Sequence, residues 1–170
     1  MGFRIEPLAA HGRAAFACGV PALDRYFREI VTQDIRRRVS NCFIALSAEG
    51  TVAAYYTLAA TSLPITDLPA EDAVKLPRYP LLPAGLIGRL AVDDRFKGQG
   101  LGSALIVDAI GRVARADPAV FALVVDAKDE AAVRFYQHLG FQSFISHPMK
   151  LYLPVAAALK RLASQAQSLK

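Results

Sequence analysis

The chain has 170 residues, 54% of them hydrophobic, with a formal charge of +5 and a pI near 9.4. That is apolar material enough for one compact domain over residues 1–170 with a sizeable core, and the positive balance favours polyanionic partners such as nucleotides or RNA. No apolar run nears the roughly 18 residues of a membrane span, and the first residues hold no signal-peptide core, so a cytoplasmic protein without a membrane anchor is expected.

Phe3–Leu8 alternates weakly and reads as an edge strand. From Pro21 to about Gln33, Leu23, Tyr26, Phe27, Ile30 and Val31 recur at helical spacing. Asn41–Leu46 and Val52–Ala59 read as a β-hairpin turned at Glu49-Gly50. Residues 64–83 carry Pro64, Pro69, Pro77, Pro80 and Pro83. Prolines at that density exclude a long helix or a central strand, so an ordered crossing segment with one short helix near Ala70–Lys75 is expected.

Then come a strand at Gly85–Val92, a glycine-rich turn, and a helix over Gly100–Ala116. A continuously apolar strand follows at Val120–Val125, then a helix at Asp129–His138, a turn at Gly140 and a strand near Lys150–Leu153. The tail from Val155 reads as a further helix. The strand–helix–strand unit requires a parallel pair and the hairpin an antiparallel one, so the fold class is α/β, a mixed sheet flanked by helices.

The chemistry concentrates in Arg95-Phe-Lys97-Gly98-Gln99-Gly100-Leu-Gly102. Glycines there let backbone approach a ligand closely and adopt positive φ. The helix that follows presents unpaired N–H groups and the positive end of its dipole, a site for a pyrophosphate. Arg95 and Lys97 add cationic charge beside it. A P-loop would end in Gly-Lys-Ser/Thr, which is absent, and a dinucleotide turn counted from Gly98 meets Ser103 at its third glycine position. Cys18 and Cys42, like His11, His138 and His147, lack ligand spacing; reduced thiols and no metal are expected.

Arg95-x-x-Gly98-x-Gly100 after a strand, followed by Asp129-x-x-Ala132-x-x-Phe135-Tyr136-x-x-x-Gly140-Phe141, resembles the paired signatures of the GNAT acetyltransferase superfamily. The resemblance implies a V-splayed mixed sheet and acetyl-coenzyme A as cofactor. It places acetyl and pantetheine contacts at Leu90, Ala91 and Val92. The pyrophosphate falls to Arg95, Lys97, Gly98, Gln99, Gly100, Gly102 and Ser103, with Asp129 and Phe135 further along. The family usually has Asn where Asp129 stands. Tyr136 matches the tyrosine that serves as acid for the leaving sulfur. A phenol near pKa 10 facing a thiol near 8.5 makes full proton transfer uphill by about 2 kcal/mol, so a hydrogen bond to the developing thiolate is the expected form of help. No general base stands out. An α-amine, with pKa near 7.8, needs one less than a lysine amine does.

Phe16-Ala-Cys18-Gly19, Leu23-Asp24-Arg25-Tyr26, Ala54-Tyr55-Tyr56-Thr57-Leu58, Leu76-Pro77-Arg78-Tyr79-Pro80 and Gly88-Arg89-Leu90-Ala91-Val92-Asp93 resemble the GNAT toxins of type II toxin–antitoxin systems. That resemblance implies acetylation of aminoacyl-tRNA, a ribbon-helix-helix antitoxin partner and a homodimer. Arg36, Arg37, Arg38, Lys75 and Arg78 are then candidate RNA contacts. For the arginine triplet, a solvated helix end is an equal reading. Tyr55 and Tyr56 point to opposite sheet faces, one to the core and the other toward the substrate cleft; Arg89 is an ion-pair or substrate residue. An acetyltransferase for a small amine or protein N-terminus, and a non-catalytic coenzyme A sensor, stand as alternatives.

Overall fold

The computed structural model describes residues 2–170. Seven strands, β1 (Arg4–Pro7), β2 (Asn41–Leu46), β3 (Val52–Pro64), β4 (Leu81–Val92), β5 (Ala122–Asp126), β6 (Gln142–Ser143) and β7 (Lys150–Pro154), form a mixed sheet in the order β1-β2-β3-β4-β5-β7-β6. Six helices accompany them: α1 (Pro21–Arg25), α2 (Val31–Arg36), α3 (Ala70–Ala73), α4 (Leu101–Ala114), α5 (Glu130–His138) and α6 (Val155–Ser168). No helix among the described residues is long and apolar enough to cross a membrane.

The expected hairpin is present, with Phe43 opposite Tyr56, Ile44 opposite Tyr55 and a register shift at Ala45/Leu46. Gly50, at φ 83°, closes it. Two strands outrun their expected limits. β3 continues to Pro64 and β4 begins at Leu81, so Pro64 and Pro83 lie in strands. Pro64 ends its strand, where a missing N–H costs nothing, and the Pro83 carbonyl still accepts the Phe121 N–H at 2.8 Å. The short β6 gives no periodic signal of its own.

The chain divides into two compact units. One holds residues up to Ala59 and Ile87–Ala109. Its core gathers the helical stripe at Tyr26, Phe27 and Val31 with Phe16, Cys42, Ile44, Leu46, Val52 and Tyr55. Phe27 stacks on Tyr55 at 4.2 Å, and Phe16 meets both rings edge-on. Burying each such ring stabilises the unit by about 1.5–3 kcal/mol. The Tyr55 hydroxyl donates to the Leu23 carbonyl at 2.8 Å, satisfying its one polar atom. Between α1 and α2 the helix widens into a π turn, Tyr26–Ile30.

The other unit, Ala60–Leu86 with Ile110–Lys170, centres on Leu63, Leu68, Leu82, Ala84, Ala122, Val124, Phe144 and Tyr152. β5 pairs antiparallel with β7, Val124 opposite Tyr152. The crossing segment resolves into a 3₁₀ turn at Ile65–Asp67 and the short α3, which the sequence places correctly. It leaves Val74 and Tyr79 largely exposed.

Candidate functional site

The glycine turn begins where β4 ends. Asp93, almost fully buried, receives the Arg95 N–H (2.9 Å) and Nε (2.9 Å) on Oδ1, and Arg95 Nη2 (3.0 Å) and the Ala17 N–H (3.1 Å) on Oδ2. Burial alone would raise its pKa. The hydrogen bonds from Arg95 and Ala17 overcome that and hold the carboxyl below its ordinary range. The Asp93 N–H donates to the Ala53 carbonyl and the Asp94 N–H to that of Ala17. Lys97 Nζ lies 2.7 Å from Asp94 and 2.8 Å from the Cys18 carbonyl. The turn's base is therefore knotted to the loop at residues 17–18.

This changes the role expected of the two cations. Arg95 and Lys97 are each matched by an adjacent carboxylate, so the turn's four charged side chains sum to zero. What remains for an anion is backbone. Gly98 and Gly100 sit at φ 80° and 78°, values that L side chains rarely adopt, and a Cβ on either would meet nothing within 4 Å. Both positions are thus open. Leu101 is buried as an anchor, while Gly98, Gln99 and Gly100 are exposed, and Gly102 and Ser103 lie half-buried in the first turn of α4. First-turn N–H groups point outward along the helix axis, the arrangement that binds phosphates.

On β4, Ala91 is buried between half-buried Leu90 and Val92. One register earlier, the Arg89 N–H donates to the buried Thr57 hydroxyl at 3.0 Å, a contact between β4 and β3 that sequence reasoning missed. The Arg89 guanidinium carbon lies 3.5 Å from the Tyr26 ring centre, a cation–π contact rather than an ion pair. Tyr56 does not face a cleft. It is fully buried, its ring stacks on Phe43 at 5.2 Å, and its hydroxyl donates to Asp108 of α4 at 2.7 Å. Both tyrosines of the pair are thus core. Asp108 seven residues into a helix carried no sequence signal.

Tyr136, on α5, is buried between Phe135 (5.1 Å) and Phe141 (5.4 Å). Its hydroxyl has no hydrogen-bond partner among the described residues, and burial pushes its pKa up to about 12. The phenol is therefore fully protonated at neutral pH, with its proton uncommitted. Asp129 is the N-cap of this helix, accepting the Ala132 N–H at 2.8 Å. A carboxylate that caps needs no further partner, which accounts physically for Asp at this position.

Arg36 ends α2, Arg37 is its C-cap, and Arg38 follows in the left-handed region at φ 59°. All three are exposed and stand where cations suit the helix dipole. Arg78 lines a cavity of about 570 Å³ with Ile65, Leu68, Leu76, Tyr79 and Ile145.

The acetyltransferase (GNAT) domain family matches residues 83–150, which hold both the glycine turn and the α5 helix. A probable toxin TacT of Sinorhizobium fredii is 30% identical over 89% of this chain and 91% of its own length. The chain belongs to the GNAT acetyltransferases. A tRNA-acetylating toxin of Mycobacterium tuberculosis is 35% identical, covering 82% of this chain and 83% of that protein. Among solved structures, AtaT complexed with acetyl-methionyl-tRNA superposes with a TM-score of 0.86 at 28% identity, covering 95% of this GNAT chain and 99% of AtaT. An AtaT–antitoxin assembly bound with acetyl-coenzyme A gives 0.80 at 28% identity, over 94% and 98% of the two chains.

Proposed function

We propose that this GNAT protein is a toxin that transfers the acetyl group of acetyl-coenzyme A to the α-amine of an aminoacyl-tRNA. The single observation that carries the cofactor half is the turn 93–102, whose charges cancel internally and whose glycines open their backbone to an anion. The acceptor half rests on likeness to a tRNA-acetylating toxin and to AtaT solved with acetylated tRNA.

Acetyl-coenzyme A supplies an activated acetyl group as its thioester. The turn residues Gly98, Gln99, Gly100, Gly102 and Ser103 would hold its pyrophosphate through backbone N–H groups. Leu90 and Val92 would offer strand N–H groups to the acetyl and pantetheine portion, where one would stabilise negative charge on the thioester oxygen. Tyr136 holds the proton that the departing sulfur needs. With the phenol near 12, complete transfer to a thiolate near 8.5 is uphill by about 5 kcal/mol in the ground state, so Tyr136 acts as a hydrogen-bond donor whose proton moves only as the carbon–sulfur bond breaks. The amine nitrogen forms the new bond to the acetyl carbon and loses its proton to solvent, which an α-amine of ordinary pKa allows without a dedicated base.

AtaT has also been solved bound to the C-terminus of an antitoxin, AtaR, at 26% identity to this chain. By analogy this protein is held inactive by a small antitoxin of the ribbon-helix-helix type and acts as a cytoplasmic homodimer. Light scattering on the purified protein tests the dimer, and co-purification with the product of a neighbouring short gene tests the antitoxin.

The deciding experiment incubates purified protein with charged tRNA and labelled acetyl-coenzyme A, wild type beside Tyr136→Phe. Label on the aminoacyl group, lost in the variant, is the expected result. Cofactor binding without labelled tRNA would point to a small amine or protein N-terminus instead. No cofactor binding at all would overturn the turn assignment.

A further inference from the structure

In the first unit, the loop from Ala9 to Ala14 and the helix that follows enclose a groove of about 680 Å³. Arg28, Thr32 and Arg36 line one wall at four-residue spacing, a stripe about 12 Å long at a rise of 1.5 Å per residue. His11 and Arg13 face it from the loop, and no acidic residue lines it. Arg13, Arg28 and Arg36 meet no carboxylate at ion-pair distance among the described residues. Four of this unit's other cations differ, while Arg37, Arg38 and Arg89 likewise have no carboxylate at ion-pair distance among the described residues. Arg4, Arg25, Arg95 and Lys97 each meet a carboxylate within 3.2 Å.

The groove's edges are also built, not loose. Arg28 donates through Nε to the Phe16 carbonyl at 2.9 Å and through Nη2 to the same oxygen, which ties the helix to the loop that grips the glycine turn. His11 Nδ1 accepts the Ala9 N–H at 3.0 Å, so Nε2 carries the proton that Glu6 accepts. His11 thereby shapes the loop. Arg13 packs its guanidinium 5.8 Å from the Phe27 ring and keeps its Nε buried with no hydrogen-bond partner. A half-buried cation with an unmet donor and no counterion is costly unless an anion arrives. The π turn at Tyr26–Ile30 lies in this same helix, and such turns recur at functional sites.

We infer that this groove is a phosphate track for the RNA acceptor, in which Arg13 and Arg36 neutralise backbone phosphates and Thr32 adds a hydroxyl donor. The inference rests on the acceptor reading proposed above and extends it to named residues. An RNA strand fits better than an acidic peptide, because polar donors repeating every four residues along one wall, at Arg28, Thr32 and Arg36, suit the regular repeat of a phosphate backbone.

The test compares wild type with Arg13→Gln/Arg36→Gln, and with Arg36→Gln alone, whose exposed side chain leaves folding untouched. Binding of charged tRNA is measured from 50 to 200 mM salt, beside acetyl-coenzyme A binding and thermal melting. The double variant should bind tRNA about tenfold more weakly and lower the salt slope by about 2, with the single variant lowering it by about 1. Cofactor affinity stays the same, and acetylation of an aminoacyl-nucleoside lacking phosphates proceeds at the wild-type rate. Variants whose slope matches that of a wild type that acetylates tRNA would overturn the track alone. Wild type that neither binds nor acetylates charged tRNA overturns the acceptor reading together with it. A slope change seen with oligoglutamate but not with tRNA would assign the groove to a protein partner.

Discussion

The glycine turn and the Tyr136 pocket are built on opposite plans. From Asp93 to Lys97 every charged side chain is matched, the backbone is bonded to Ala17 and Ala53, and the Lys97 amine donates to the Cys18 carbonyl. Tyr136 is surrounded by aromatic carbon, and its hydroxyl bonds to nothing described. Holding a ligand requires a fixed cradle, because movement of the donors would dissipate binding energy. Moving a proton requires a donor whose hydrogen is not already engaged. One region has used its polar groups to become rigid; the other has kept one in reserve.

The sharpest way to break that comparison is to remove the reserved proton. Tyr136→Phe should lower kcat by about 10²–10³-fold while leaving the acetyl-coenzyme A dissociation constant unchanged, as single-turnover rates and equilibrium titration would show. Equal losses in both would make Tyr136 a packing residue. With its pKa near 12, the wild-type kcat should also show no alkaline decline from this tyrosine below about pH 11, since the phenol stays protonated throughout.

On the turn's side, Asp93→Asn removes the charge that four donors converge on. It should cost about 2 kcal/mol of stability and weaken cofactor binding by roughly thirtyfold, with kcat at saturation retained. The sign of its pH dependence follows from a lowered folded pKa. Asp93 stabilises the fold above its unfolded value near 3.9 and ceases to do so as pH falls further. The gap in melting temperature between wild type and variant should therefore narrow as pH falls below about 4.

Gly100→Val tests the backbone rather than the charge. Space for the side chain is open, so the penalty is the positive φ alone, about 1–2 kcal/mol, appearing as roughly tenfold weaker cofactor binding. Lys97→Ala should do least, within about twofold in cofactor affinity, because its charge is already answered by Asp94 and both side chains are exposed. A large loss there would restore Lys97 as a direct phosphate ligand.

Much of this was legible in the residues. The hairpin announces itself by two apolar runs either side of Glu49-Gly50, α4 by the glycine turn before it, and the cofactor signatures by glycine and aromatic spacing. Tyr136 could be singled out because its neighbours Phe135, Gly140 and Phe141 frame it in sequence as they do in space. Prolines misled at two points, since Pro83 loses only a donor and keeps an acceptor that Phe121 uses. Tyr56 misled for another reason: alternation says which sheet face a side chain takes, not what covers that face, and Asp108 arrives from a helix 52 residues away.

The sequence by itself determined the element types, the glycine turn and the family, because periodicity, positive-φ residues and motif spacing are properties of neighbours along the chain. Only the tertiary structure decided which charges remain available. Arg95 and Lys97 read as phosphate ligands until Asp93, Asp94 and the loop at 17–18 are brought against them; Arg13 and Arg28 carry no signal, and Arg36 reads equally as an RNA contact or a solvated helix end, until the three line one groove without a counterion. A charge's usefulness depends on what lies within about 4 Å of it, where Coulomb energies are largest, and that distance is set by folding rather than by order in the chain.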